Sequence, residues 1–241
     1  CFCKRALHYV LSQLNTDDYF SYSQFGNNVK HGFSKLRAAD TFNISAASVL
    51  ISNTEANMGG TEIENALLST FELKGHKERA NVLLITDGEV WDTSEIIAAA
   101  KKSGHRIFAI GVGSSPAETL LRELAEMTGG ACELVSPRED IEAAIVRMFN
   151  RIHLPAAQDI EINWGTDQIP EWTAGTNTAI FGGNTSHVFA GFTSPPNKPA
   201  FISYQLKESS ERIGVGANSI TTALKSNLPK LGASQRLLNL A

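Results

Sequence analysis

The sequence predicts an α/β fold: a doubly wound, mostly parallel, Rossmann-like sheet over residues 1–152, then a smaller β-rich region over 153–241 with a terminal helical segment. Three observations predict it. Helix-periodic and strand-like stretches alternate as far as Ile152, which is how successive βαβ units read along a chain. The stretches 81–86 and 106–112 are short unbroken apolar runs, the pattern of strands buried on both faces of a parallel sheet. Past His153, Leu154 and Pro155 the texture changes to short alternating stretches separated by Gly, Asn, Pro and Thr, as in antiparallel sheets, so a boundary is expected between Ile152 and Ala156.

Taken in order, Leu7, Val10, Leu11 and Leu14 make one apolar helix face, and the aromatic-rich stretch 19–25 reads as a strand after the turn residues 15–18. A short helix is expected over 46–51. Ile63, Ala66, Leu67 and Phe71 form the next helical face, and residues 94–103 another helix, stopped by Gly104. Residues 115–118 and 136–139 each combine a capping box with proline at the first helical position, which predicts two further helix starts. Ile141, Ala144, Ile145, Met148, Phe149 and Ile152 make the strongest amphipathic stripe. Beyond the boundary, 159–164, 187–192 and 200–206 read as strands, and 219–240 as helical in parts, with Pro229 and Gly232 as interruptions.

Composition excludes some functions. With 241 residues, 42% of them hydrophobic, the chain can bury one sizeable core and a smaller second one. The net charge is −4 and the Lys and Arg residues are scattered, so the basic footprint of a nucleic-acid binder is missing. Acidic residues outnumber basic ones 19 to 15 through Ile152 and match them at six each afterwards, which assigns the acidity to the first part. No apolar run approaches the roughly 20 residues that span a bilayer. Cys1, Cys3 and Cys132 are too few for a disulfide framework, and Cys1 with Cys3 lacks the second ligand pair of a zinc site, so all three read as packing or incidental thiols. The six His residues are dispersed.

Chemistry concentrates at Thr86-Asp87-Gly88-Glu89. Ligands of open parallel sheets bind beyond the carboxyl ends of the strands, and Asp87 sits where the apolar run 81–86 ends. Upstream lies Gly59-Gly60-Thr61. A hard cation such as Mg2+ or Mn2+ takes hydroxyl and carboxylate oxygens from separate loops, so Thr61 and Asp87 are the candidate metal ligands, with Gly59 and Gly60 allowing close backbone approach. Both residues also have an ordinary structural reading: Thr61 with Glu64 is a capping box, and Asp87 with Gly88 is a common turn pair. Glu89 and Asp92 read as a solvated face. Trp91, Trp164 and Trp172 read as core or interface anchors. Gly111-Val112-Gly113 lacks the third glycine of a dinucleotide fingerprint, and neither a Gly-Lys-Ser/Thr loop nor a Gly-x-Ser-x-Gly elbow occurs.

The order of Gly59-Gly60-Thr61, the helix 62–71, the stretch 83–89 ending in Thr-Asp-Gly-Glu, the stretch 107–113, and 121–130 with its Met127-Thr128-Gly129-Gly130 end resembles the von Willebrand factor A domain and its metal-ion-dependent adhesion site. The resemblance covers residues 1–152. It implies a doubly wound sheet and a divalent cation, Mg2+ or Mn2+, held by Thr61 and Asp87, whose open position accepts an acidic side chain of a protein ligand. It also implies a first motif, Asp-x-Ser-x-Ser, that has no counterpart in this sequence; the helix beginning around residues 1–4 resembles the one that follows that loop, so the first strand and its loop are expected upstream, the other explanation being a domain with a degenerate, metal-free site. Leu154-Pro155, residues 159–164 and Val188 to Gly191 are similar to segments that follow the A domain in inter-alpha-trypsin inhibitor heavy chains and related bacterial proteins.

The function expected from this resemblance is non-enzymatic protein binding of the adhesion type, in an extracellular or cell-envelope setting. Two other readings compete with it. One is a metal-independent scaffold; the other is a metal-dependent phosphohydrolase using Asp87, for which the required phosphate cradle and charge-stabilising Lys or Arg are not evident.

Overall fold

The computed structural model describes residues 2–54, 62–73, 79–88, 94–113, 117–136, 139–175, 179–182, 185–206, 211–217 and 227–238. The chain divides into two compact units, Cys1–His153 and Leu154–Ala241.

In the first unit α1 (Phe2–Ser12) leads to four short strands, β1 (Tyr19–Phe20), β2 (Ser23–Phe25), β3 (Val29–His31) and β4 (Arg37–Ala38), and then to α2 (Thr41–Asn53). After them come α3 (Ile63–Phe71), β5 (Asn81–Thr86), α4 (Ser94–Ser103), β6 (Arg106–Val112), α5 (Glu118–Thr128), β7 (Ala131–Val135) and α6 (Ile141–His153). β5, β6 and β7 form a parallel sheet in that order, in the register Leu83 to Phe108 to Ala131. The fold class is therefore α/β, as the apolar runs predict, and both runs emerge as strands at the same residues.

Alternation along the strands sorts their side chains onto two faces. On one, Leu84, Ile107 and Ala109 pack with Ile63 and Leu67 of α3, Ile96 and Ala100 of α4, and Leu120, Leu121 and Leu124 of α5. Phe108 and Ile110, both fully buried, turn to the other face, against which α6 packs. Glu133 shares that face and pairs with Arg147 and Arg151 of α6. A separate apolar cluster joins Leu11 of α1 to Ala47 and Ile51 of α2, with Phe20, Tyr22 and Phe33 against it.

Several expectations are corrected. Residues 19–25 do not form one strand: β1 pairs with β4 and β2 with β3, in two separate two-stranded ladders. α2 is longer than 46–51, because Asp40 caps it by accepting the Asn43 N–H at 2.7 Å and so starts the helix at Thr41. The helix expected from 136 begins at Ile141, where Asp140 accepts the N–H groups of Glu142 and Ala143. Half of the expected capping box survives there, since the Glu139 carboxylate accepts the Ser136 N–H at 2.7 Å. Residues 114–116 and 137–138 lie outside the described residues.

The second unit is antiparallel. β8 (Ala156–Asn163) and β12 (Phe201–Leu206) are central in the order β10 (Ala179–Phe181), β8, β12, β13 (Arg212–Gly216), while β9 (Trp172–Ala174) pairs with β11 (Phe189–Gly191). Asp159 has a φ of 49°, and the β8–β12 register shifts opposite it between Ser203 and Gln205, which marks a β-bulge. Arg212 ties that bulge by donating to the Asp159 carbonyl and pairing with Glu161. α7 (Leu228–Leu238) is not interrupted at Pro229 or Gly232. Pro229 is in the first turn, where its missing N–H costs nothing. Gly232 packs close to Trp172: an added Cβ would stand 3.1 Å from the indole, a contact to which the ring would have to yield.

Cys132 of β7 packs against the α3–α4–α5 face, and burial pushes its thiol up to about 11. Thiolate is the reactive form, so at pH 8 Cys132 is expected to alkylate about 100-fold more slowly than an exposed thiol in the same sample. Mass-spectrometric rates with iodoacetamide test this, and equal rates would contradict the packing.

Candidate functional site at the carboxyl edge of the parallel sheet

Three strands end side by side at one edge, at Thr86, Val112 and Val135. The loops leaving them are tied together by backbone hydrogen bonds. Gly113 donates its N–H to the Val135 carbonyl at 3.0 Å, and Ala117 donates to the Gly88 carbonyl at 3.2 Å. Gly88 in turn donates to Thr86 Oγ1 at 3.2 Å, which engages the hydroxyl of the one buried polar residue among the described residues. Thr86 is 5% exposed and Asp87, the next residue, is exposed. The result is a carboxylate held at the rim by a backbone that is fixed on both sides. Gly113 (φ 112°) leaves open space beside it, since an added Cβ would meet nothing within 4 Å.

Asp87 also lies near the start of α1. Burial raises the pKa of the Cys3 thiol, and the Asp87 charge raises it further. A carboxylate in this setting is a hard oxygen donor and fits one position of a Mg2+ or Mn2+ coordination sphere. It does not make a site alone. Among the described residues, no group of three or more His, Cys, Asp or Glu comes together as a metal cluster. Thr61, Gly59, Gly60, Glu89, Trp91 and Asp92 lie outside the described residues, so the juxtaposition of Thr61 with Asp87 is not described. The N-cap position of α3 falls on Glu62, whose N–H donates to the Gly26 carbonyl at 3.1 Å and which makes no side-chain cap.

Sequence reasoning missed two features of the first unit. Thr128 Oγ1 accepts the Ile107 N–H at 3.0 Å, which gives the Met127 to Gly130 stretch a structural role at the other end of β6. Gln24 has a buried Oε1 without a hydrogen-bond donor among the described residues. A polar residue in the middle of the aromatic stretch 19–25 was the available signal.

A parallel sheet with helices on both faces defines an α/β module, and the carboxyl edge where Asp87 lies is the end at which such sheets take ligands. A family profile described as the von Willebrand factor type A domain matches residues 1–134, and the chain belongs to that family. Domains of this family are generally protein-interaction modules. The chain is 28% identical over 166 residues to a von Willebrand factor A domain-containing protein of Dictyostelium discoideum, covering 68% of this chain and 8% of that protein. It is 25% identical over 202 residues to von Willebrand factor A domain-containing protein 5A of Rattus norvegicus, covering 80% and 24%, so that alignment runs on into the second unit. The chain thus spans less than a quarter of the length of these curated relatives. Among solved structures it superposes on a von Willebrand factor type A protein from Catenulispora acidiphila with a TM-score of 0.56 at 14% identity, covering 89% of this chain and 60% of that one, which supports the fold. Among the described residues no helix is long and apolar enough to cross a membrane.

Proposed function

We propose that this chain belongs to a non-enzymatic protein-binding module that engages an acidic side chain of its partner through a divalent cation, Mg2+ or Mn2+, with Thr61 and Asp87 among the ligands. The observation that carries the reading is the exposed Asp87 carboxylate at the carboxyl edge of a parallel strand, on a backbone tied by Gly88 and Thr86. When bound, the cation supplies a coordination position that an incoming carboxylate can fill. Asp87 offers it an oxygen from one loop and Thr61 a hydroxyl from another, and any remaining protein ligands come from the upstream first motif that the family resemblance implies. An extracellular or cell-envelope setting goes with this reading, and protease accessibility on intact cells checks it.

Calorimetry with Mg2+ and Mn2+ tests the proposal, on this chain and on one extended upstream through the next strand and loop. Saturable binding is expected in the extended form, abolished by Asp87→Ala and weakened by Thr61→Ala. Asp87 is exposed, so its replacement is expected to change stability by no more than about 0.5 kcal/mol, which separates loss of a ligand from loss of the fold. Absence of saturable binding in the extended form, or retention of it in Asp87→Ala, would remove the metal from the account.

A further inference from the structure

Helix α2 is apolar on two opposite sides. On one, Ala47 and Ile51 are buried with Leu11 of α1. On the other, Phe42 and Val49, two turns apart, stand 80% and 59% exposed, and Ser45 between them is exposed as well. A single apolar side chain in water needs no account, but two large ones aligned along a helix form a seam, and a helix that is apolar all round is ordinarily covered all round.

The charges around α2 say what fits the seam. From Asp40 to Thr54, across the helix and both its caps, Asp40 is the sole charged residue. It marks the N-terminal end, where its carboxylate accepts the Asn43 N–H. The C-terminal end carries the opposite charge from another element, since Lys4 of α1 reaches over and donates to the Ser52 carbonyl at 2.7 Å. A membrane surface is held by Lys and Arg beside an apolar face, and a strongly charged partner is held by complementary charge along the contact; α2 offers neither. Its complement is a second seam with a neutral middle and the opposite charge at each end. A copy of α2 laid antiparallel has that pattern, and it also sets the two helix dipoles head to tail. Residues 1–152 carry more acidic than basic side chains, so two copies repel over much of their surface and meet with least cost where charge is absent.

We propose that α2 is a homodimerisation surface, packed antiparallel on α2 of a second copy across a two-fold axis that passes between Ser45 and Ala46. Phe42 of each copy then meets the partner's Val49, and Asp40 of each lies at the end where the partner's Lys4 is docked. Every contact occurs twice, as a two-fold requires. Ser45 and Ala46 are small, so the helices approach to about 8 Å, the near end of the usual range. The seam is one helix of 13 residues, and the dimer is correspondingly weak, with a Kd on the order of 10–100 μM. No cation takes part, and the dimer is independent of the function proposed for Asp87.

Sedimentation velocity of this chain over about 1–300 μM, in EDTA, tests the proposal and is expected to show a reversible monomer–dimer equilibrium. Phe42→Glu and Val49→Lys each bury a charge in the seam and are expected to weaken association at least about tenfold. Both positions are exposed, and Glu suits the first turn of a helix as Lys suits its interior, so the thermal unfolding of both variants is expected to match that of the parent. The decisive arm is an equimolar mixture of the two variants. In the antiparallel dimer the new carboxylate of one meets the new ammonium of the other, while the remaining Phe42 and Val49 still meet, so association is expected to return to within about threefold of the parent. A parallel pairing would set each substituted position against its own counterpart and restore nothing. A parent that stays monomeric throughout, association that survives Phe42→Glu and so runs through another surface, or a mixture no stronger than its components overturns the proposal.

Discussion

Gly130→Ala is expected to cost on the order of 3 kcal/mol or more and to leave the first unit largely unfolded in mild urea. An added Cβ would stand 1.9 Å from the Ile107 carbonyl oxygen, 2.6 Å from its carbon and 3.1 Å from its nitrogen. All three are backbone atoms of β6, so no side chain can swing aside. The contact is also anchored. Gly129 closes α5 in the left-handed conformation, with a φ of 69°, and Gly130 donates its N–H to the Ala125 carbonyl at 2.8 Å. Thr128 Oγ1 accepts the Ile107 N–H from the same turn, and β7 begins directly afterwards at Ala131. Moving Gly130 away from Ile107 would therefore pull α5 off β6 or β7 out of register. Gly129→Ala is the control: it strains the left-handed turn without the backbone collision and is expected to cost only about 1–2 kcal/mol. Urea midpoints decide, and equal midpoints for the two variants would contradict the close approach.

The legible parts of this chain are those where one physical cause acts alone. Residues 81–86 and 106–112 could be read as strands because an unbroken apolar run of that length suits a strand covered on both faces, and β6 is so covered from Ile107 to Gly111, while β5 is only half-buried at Val82, Leu83 and Ile85. Gly104, with a φ of 71°, stops α4 as its sequence position suggests. Where two residues can do the same job, reading fails by a few positions. Ser136, Glu139 and Asp140 can each satisfy backbone N–H groups, and only the folded chain shows that Asp140 caps α6 while Glu139 turns back to Ser136. Asp40 was overlooked as a cap because the stretch after it lacks a one-sided apolar face. Phe42 and Val49 are exposed while Ala47 and Ile51 are buried. Pro229 and Gly232 suggest breaks by residue type, yet their positions in the first turn and against Trp172 make both compatible with α7.

The candidate site divides along the same line. Asp87 could be placed at the rim because its position follows from where a buried strand ends, and the carboxyl edge is a property of the whole parallel sheet. Thr61 could not be placed in the same way, since it lies outside the described residues.

Phe108→Ala is expected to cost about 3–5 kcal/mol, a large share of the roughly 5–15 kcal/mol that keeps a domain folded. The ring is fully buried on the α6 face of the central strand, with Leu83 and Ala131 as its cross-strand neighbours and the Arg106 guanidinium 5.1 Å from its centroid. Both flanking strands and a helix would have to shift to fill the void, and packing that is shared among three elements relaxes poorly. Phe108→Leu keeps most of the volume and is expected to stay within about 1.5 kcal/mol of the parent. Glu133→Gln gives the opposite comparison on the same face. It removes the carboxylate that Arg147 and Arg151 share, yet Arg147 is 56% exposed and water competes for its charge, so the expected loss is below about 1 kcal/mol. Thermal unfolding of the three variants ranks them, and a Glu133→Gln loss as large as that of Phe108→Ala would mean that the ion pair, and not the apolar packing, holds α6 to the sheet.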